Sequence, residues 1–427
     1  MNLLALRARD RRLFDNPGRC NPDNSVVLML SSVSFAVAAV FAAAFSYMVL
    51  AVIGVVRFGR ALGTKPQHSG GWAPVTVLKP LCGDEPELYE NLKSFCEQDY
   101  PSYQVVFGVR DAADPAIAVA ERLIAEFPAK DLALVVDERV IGRNLKVSNL
   151  ANMMRRARHE LIIVADSDMR VGRGYLTAVA GVFDDARVGA ATCLYSGAGT
   201  SNLASRLGAM FINDWFLPSA LIPTMFGELK FCFGATMAAR RSALREIGGF
   251  EALADVLADD YMLGHLVSQQ GHKVALAPYV VENRVHEAGL KALFRHETRW
   301  ARTIRSVQPG GYALSFVTEA LALSLLAAAA TYHATQSVPL ATVPVAATLT
   351  LRWTLHFAAQ RKLAGGRSYS PWLIPLRDAF SLAVRVGSFF GRGVSWRGQE
   401  MTVHADSRLD PLTSPRPARP DELEAPR

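Results

Sequence analysis

Three sets of carboxylates stand at the ends of apolar runs. Asp111 follows "VVFGVR", Asp166 and Asp168 follow "LIIVA", and Asp259 and Asp260 sit in "VLADDYMLGHL" where a helical pattern begins. A single acid after a strand is commonly a solvated turn. Three sets in one stretch, one of them acid-x-acid, call for a ligand that needs them. A nucleoside diphosphate leaving group is such a ligand, because it departs with the charge of two phosphates. Hard, octahedral Mg2+ or Mn2+ takes carboxylate and phosphate oxygens together. Asp166 and Asp168 provide such oxygens and leave coordination positions free. A separate carboxylate must then take a proton from the attacking hydroxyl, and Asp260 is the candidate.

Other stretches carry polar groups toward the same chemistry. In "GRNLKVSNL", Gly142 allows an unusual backbone angle. Asn144 and Lys146 lie near a helix start, in reach of phosphates or a base, although a helix cap explains Asn144 equally well. "KFCFGATMAARR" suggests a strand and a tight turn at Gly234, set against a sugar or simply packed. "HETRW", followed by "ARTIR", combines Arg295, Arg299, Arg302 and Arg305 with Trp300 and His296. Arginine pairs bidentately with phosphate and tryptophan stacks on a ring. The competing reading is a basic patch against anionic lipid.

These residues need a scaffold. "PVTVLKPL", "YQVVFGVR", "LALVVD" and "LIIVAD" read as buried strands, and "DPAIAVAERLIAEF" and "NLKVSNLANMMRRA" as helices. The alternation predicts an α/β sandwich with a largely parallel sheet over residues 73–309. Ligands of such sheets sit at the carboxyl ends of the strands, where the acids are.

The flanks are apolar. Half of the 427 residues are hydrophobic, and the mean hydropathy is +0.15. A polar, arginine-rich segment (1–24) precedes an uncharged run (25–56) long enough to cross a bilayer, and a basic linker follows it. Residues 312–391 read as a second membrane region. Within it, 314–332 and 338–357 are two candidate spans. Arg377, Asp378 and Arg385 interrupt 371–391, which predicts an amphipathic helix lying in the interface. Residues 404–427 are Pro-rich and charged and predict a disordered tail. The net charge of +7 suits an anionic partner, whether membrane surface, nucleic acid or phosphorylated substrate. Five cysteines with no CxxC pair argue against a disulfide framework or zinc knuckle.

Taken in order, "VLKPLCGDEPELYENLKSFCEQDYP", Asp111, "DSD", "ADDYMLG" and the block ending Arg299–Trp300 resemble the family-2-type GT-A glycosyltransferases. More narrowly, they resemble the ceramide-glucosyltransferase-like family, and within it the bacterial hopanoid-biosynthesis glycosyltransferases. The resemblance implies a GT-A (Rossmann-like) domain flanked by transmembrane helices. It implies that Asp111 meets the uracil–ribose part, and that Asp166 and Asp168 meet ribose, diphosphate and Mg2+ or Mn2+. Asp260 matches the base, and Arg299 and Trp300 end a Gln/Arg-x-x-Arg-Trp motif. The first position of that motif is His296 here, which puts a fixed charge there in doubt. Asp168 is the less constant of the two DxD acids. With Lys146 and Gly234, these residues make the expected nucleotide-sugar site.

The implied activity is inverting transfer of a sugar, N-acetylglucosamine for the hopanoid branch, from a UDP-sugar to a lipid hydroxyl. A hopanoid polyol such as bacteriohopanetetrol is the implied acceptor, with ceramide as the alternative. The implied partners are the UDP-sugar, the lipid and the bilayer, and no nucleic acid. The implied place is the bacterial inner membrane, with several spans and a cytoplasmic catalytic domain. Five arginines among residues 1–24 oppose that orientation. A processive polysaccharide synthase would need more spans. A non-enzymatic lipid-binding scaffold would not need the acids.

Overall fold

The computed structural model describes residues 22–62, 71–199, 202–365, 370–391, 393–396, 399–403 and 408–411. A long helix, α1 (Pro22–Ala61), leads into the sheet. There β1 (Val75–Pro80), β2 (Tyr103–Val109), β3 (Asp131–Val136) and β4 (Leu161–Val164) are the four strands expected from the sequence. Helices α2 (Leu88–Cys96), α3 (Ala116–Glu126) and α4 (Leu145–Met153) connect them. These strands pair in parallel. Their side chains alternate between two cores. Val75, Val77, Val105 and Phe107 pack under α2 and α3, while Leu78 and Val106 pack under α4. A sheet covered on both faces explains why the strands read as unbroken apolar runs.

The second half departs from the largely parallel expectation. The chain continues through β5 (Met169–Arg170), α5 (Tyr175–Gly181), β6 (Val188–Gly199), α6 (Leu203–Phe211) and α7 (Leu217–Thr224). It then forms β7 (Met237–Arg240), α8 (Arg241–Glu246), α9 (Asp259–Gln269) and β8 (Lys273–Val285). The strand order is β3-β2-β1-β4-β7-β6-β8-β5. β7 runs antiparallel to both β4 and β6. The sheet is therefore mixed. The physical reason is the excursion through α6 and α7. It leaves the carboxyl end of β6, so the chain re-enters as β7 from that side. The turn holding Gly234 is thereby delivered beside the end of β4.

Four helices follow α10 (Leu290–Val307): α11 (Pro309–Leu314), α12 (Ala320–Thr335), α13 (Val338–Lys362) and α14 (Ile374–Phe389). Val33–Ala61 and α13 are each long and apolar enough to cross a membrane. The 16 residues of α12 reach about 24 Å, short of a ~30 Å hydrocarbon core. It passes the same test only together with Pro309–Thr318, from which it bends by 59°. α1 and α13 also pack on the sheet-bearing half: Val55, Leu355 and Ala359 share a core with Leu194, Leu221 and Phe233.

Two further readings are refined. In α14 the charges point inward and pair, whereas Leu376, Leu382, Val386 and Phe389 are exposed. The outer face is thus the apolar one. Four residues of the tail are ordered. β9 (Gly393–Trp396), β10 (Gln399–Val403) and β11 (Leu409–Pro411) form a small sheet. Leu409 is buried, and its N–H donates to Asp255 O at 2.9 Å. Edge pairing on the segment before α9 is what orders it. Residues 1–21, 404–407 and 412–427 lie outside the described residues.

Candidate active site

The site is built on the turn after β4. Ala165 still donates to Leu78 O in the sheet, and the chain then leaves it with Asp166, Ser167 and Asp168. Below the turn lies Lys79, fully buried in β1. Its Nζ donates to Asp166 O at 2.5 Å and rests 3.9 Å from the centre of the Phe95 ring. Burial pushes this ammonium down to about 7, although Asp166, Asp168 and Glu85 pull the other way.

Lys146, in the first turn of α4, joins two acid sets. Its Nζ is 2.8 Å from Asp166 Oδ1 and 3.2 Å from Asp259 Oδ2. The second contact is an ion pair at an angle unsuited to a hydrogen bond, so Asp259 Oδ2 stays buried without one. Burial alone would lower Lys146, but Asp166, Asp259 and Asp260 reverse the shift and hold it charged. Asp260 keeps more exposure than Asp259. Burial, then Asp259, pushes its carboxyl up to about 6 against the pull of Lys146, and Tyr261 N donates to its Oδ1 at 2.8 Å. Gly234 lies between the acids. A Cβ there would be 3.2 Å from Asp260 Oδ2 and 3.6 Å from Asp166 Oδ2.

Asp111, Lys146 and Asp166 line one cleft of about 680 Å³, together with Gly83, Arg110, Asn149 and Ser167. Its size suits a nucleotide, and Asp111 is exposed at its wall. Asp168, Gly234, Asp260, His296, Arg299 and Trp300 are not among its walls. Asp260 and Gly234 approach it through Asp166. The α10 block forms a third group. His296 Nδ1 is 2.7 Å from Glu287 Oε1, and its ring centre is 4.3 Å from that of Trp300. Trp300 in turn stacks on Phe211 at 6.0 Å. Among the described residues none accepts a hydrogen bond from the Arg299 guanidinium. Burial lowers its pKa, while Glu287 and Asp166 act to raise it. Arg299 is therefore a half-buried cation in electrostatic reach of Glu287 and Asp166, with no hydrogen-bond acceptor among the described residues.

The donor set fits a divalent cation. Asn283 Nδ2 holds Asp168 Oδ2 at 2.8 Å, and Lys146 holds Asp166 Oδ1. Each carboxylate keeps one oxygen without a partner among the described residues. Burial, Asp166 and Glu85 together push Asp168 up to about 7, the mark of a cluster short of positive charge. Among the described residues no three His, Cys, Asp or Glu side chains form a closed cage. A cation bound through two carboxylates would therefore share its shell with diphosphate and water, the usual habit of Mg2+.

One open sequence reading is decided and one changes. Asn144 is a helix cap and not a phosphate ligand. It is buried, its Oδ1 accepts from Val147 N at 3.1 Å, and its Nδ2 donates to Val256 O at 2.8 Å. Gly142 is needed for close approach and not for an unusual angle, since a Cβ there would lie 2.5 Å from Ala254 O. Lys79, Asn283 and the part played by Asp259 were not found from sequence. A lysine inside the apolar run "VTVLKP" was the one available signal.

The chain matches glycosyl transferase family 21 over residues 33–409. It belongs to that family. Members are glycosyltransferases, and acids follow the carboxyl ends of the parallel strands β2 and β4, where the sequence reading put them. The chain is 24% identical over 236 residues to ceramide glucosyltransferase 1 of Caenorhabditis elegans, covering 55% of this chain and 50% of that one. It is 23% identical over 337 residues to ceramide glucosyltransferase 3 of the same organism, covering 76% and 71%. The chain thus spans half the length of the first relative. Among solved structures it is similar to the mannosyltransferase PcManGT from Pyrobaculum calidifontis, in complex with GDP-Man and Mn2+. The identity is 21% and the TM-score 0.48, over 84% of this chain and 99% of that one.

Proposed function

We propose that this family 21 protein transfers a sugar from a UDP-sugar to a hydroxyl of a membrane lipid, with inversion. The observation that carries the reading is Lys146 bridging Asp166 and Asp259, beside Asp260 and at the edge of the nucleotide-sized cleft. Uracil and ribose lie in the cleft against Asp111, and the diphosphate lies by Asp166. Asp260 takes the proton of the lipid hydroxyl as its oxygen bonds to the anomeric carbon and the sugar–phosphate bond breaks. UDP leaves with the bonding pair, and Lys146 and Arg299 receive its charge. Asp166 and Asp168 would hold a divalent cation, which would neutralise charge at the diphosphate. Trp300 and Gly234 shape the sugar site, and His296 supports Trp300.

A lipid acceptor is supported by where the site stands. Few residues separate α10 from the apolar helices α11 and α12. Leu314 on α11 and Phe390 beside Arg302 of α10 are large apolar side chains left mostly exposed. A cytoplasmic catalytic half is supported by charge. Arg57 and Arg60 end α1, and Arg361 and Lys362 end α13, where Lys362 packs on Gly59. Those ends adjoin the catalytic half, as the positive-inside tendency requires. For the acceptor, the hopanoid resemblance favours a polyol taking N-acetylglucosamine. The relatives named ceramide glucosyltransferase favour glucose and ceramide as a second reading.

The test is incubation of membranes holding the protein with UDP-N-acetylglucosamine or UDP-glucose and each lipid class, with mass spectrometry of the products. An N-acetylhexosaminyl hopanoid is the expected product. A hexosylceramide instead moves the assignment to the second reading. No glycolipid from any combination favours a lipid-binding scaffold.

A further inference from the structure

The membrane-side helix α14 holds the catalytic helix α10 by a buried ion pair. Arg377 reaches Glu297 through two parallel hydrogen bonds, Nη1 to Oε1 and Nη2 to Oε2, each 2.7 Å. Both side chains are 2% exposed. The remaining donors of Arg377 go to Leu207 O on α6 at 3.2 Å and to Ser381 Oγ at 2.9 and 3.2 Å. Its guanidinium also lies 5.3 Å from the centre of the Phe211 ring. At the far end of α14, Arg302 and Arg305 of α10 donate to the carbonyls of Phe390 and Gly391.

Stability alone does not explain this pair. Burying two charges costs about as much as their attraction returns, and well-packed apolar residues commonly serve as well. A planar fork on a carboxylate adds direction. Glu297 and Arg299 are two residues apart on α10, so their side chains point roughly 200° apart around the helix. Whatever fixes Glu297 on the α14 side fixes the rotation of α10, and with it the direction in which Arg299 leaves the helix. The second route runs through Phe211, which meets Arg377 and stacks on Trp300 as well as on Trp215.

We propose that Arg377 is a positioning residue, which sets the aim of Arg299 and Trp300 through Glu297 and Phe211 from the membrane-side helix. Its kinetic test rests on the glycosyl-transfer reading, and its optical test does not. In membranes, Arg377→Met is expected to lower kcat about 10- to 100-fold. KM for the UDP-sugar should stay within about threefold, because Asp111, Lys146 and Asp166 are untouched. Arg377→Lys keeps the charge without the fork and should fall between Met and wild type. It also serves if the Met variant inserts poorly. On a background lacking both groups, Arg299→Ala with Trp300→Ala, Arg377→Met should add little further loss, since what it aims is gone. Unchanged kcat, or losses that multiply independently, would overturn the proposal. The optical arm isolates Trp300 emission by subtracting a Trp300→Phe spectrum. Acrylamide should quench Trp300 more readily in both Arg377 variants, and equal quenching would overturn the proposal. A wild-type protein that turns over no UDP-sugar counts against the activity, and quenching then decides the positioning.

Discussion

Asp259 and Asp260 are neighbours in the chain and face different tasks. Asp259 is buried against Lys146, whereas Asp260 keeps an exposed edge beside Gly234. Asp260→Asn is expected to lower kcat about 100-fold or more while UDP-sugar binding persists. Asp259→Asn should loosen Lys146, raising KM for the donor more than it lowers kcat. Steady-state kinetics on the two variants distinguishes these roles, and a reversed pattern would exchange them. Burial raises Asp260 above the ordinary carboxylate range to about 6. A base works deprotonated, so kcat/KM should fall as pH drops through about 6 and level off above it. A cation at Asp166 draws that limb lower, so the limb should move with metal concentration. Removing metal with a chelator should abolish transfer, and Mg2+ or Mn2+ should restore it. Full activity in excess chelator would leave Asp166 and Asp168 with the ribose and Lys146 alone.

At the scale of elements, the approach to α4 and the approach to α9 are pressed together. Arg143 N donates to Asp255 Oδ1 at 2.9 Å, and Asn144 N to Ala254 O at 2.8 Å. Gly142 makes room for this contact, and both helices deliver charged groups immediately afterwards. Gly142→Ala should therefore cost about 1–3 kcal/mol through overpacking. Thermal unfolding should show a lower Tm, and KM for the donor should rise as Lys146 shifts away from Asp259. An unchanged Tm would mean the loop yields without cost. Strands β1 to β4 and helices α3, α4 and α9 were legible because their apolar periods are local, whereas β5, β6 and β8 were not read. The direction of β7 was not, because "TMAAR" reads the same whichever way it enters the sheet. The pairing of the α14 charges was not legible for a similar reason. Composition reports that Arg377 and Asp378 are charged, but not that Glu297 and Arg352 wait for them.

For the whole molecule the open matter is orientation. The basic helix ends beside the catalytic half favour the cytoplasm. The loop between α12 and α13 would then lie across the membrane from the sheet. A single cysteine at Ser337, with the native cysteines replaced, should react with an impermeant maleimide on intact cells. A cysteine at the exposed Arg245 should react only after lysis. The opposite pattern would reverse the orientation. Such labelling also tests whether the bent pair Pro309–Thr318 and Ala320–Thr335 crosses, since an uncrossed pair leaves α13 alone to reach the far side.

Local pattern sufficed for the alternating strands and helices, the apolar flanks, and the ordered set of Asp111, Asp166, Asp168, Asp260, Arg299 and Trp300. Each depends on residue type and short spacing, and those need no knowledge of the distant chain. Three-dimensional packing decided which of these meet. Lys146 and Asp259 are more than a hundred residues apart, and only the return of the chain through α9 brings them to 3.2 Å. Lys79 under Asp166, Asn283 on Asp168 and Arg377 on Glu297 are likewise long-range pairs between groups with no local mark. Packing also decided for Asn144 as a cap, because Val256 O takes its Nδ2 while its Oδ1 accepts from Val147 N in α4, leaving neither atom for a phosphate. A carboxylate's reach can be read from its neighbours in sequence, but its partner is chosen by the sheet order and the helices that close over it.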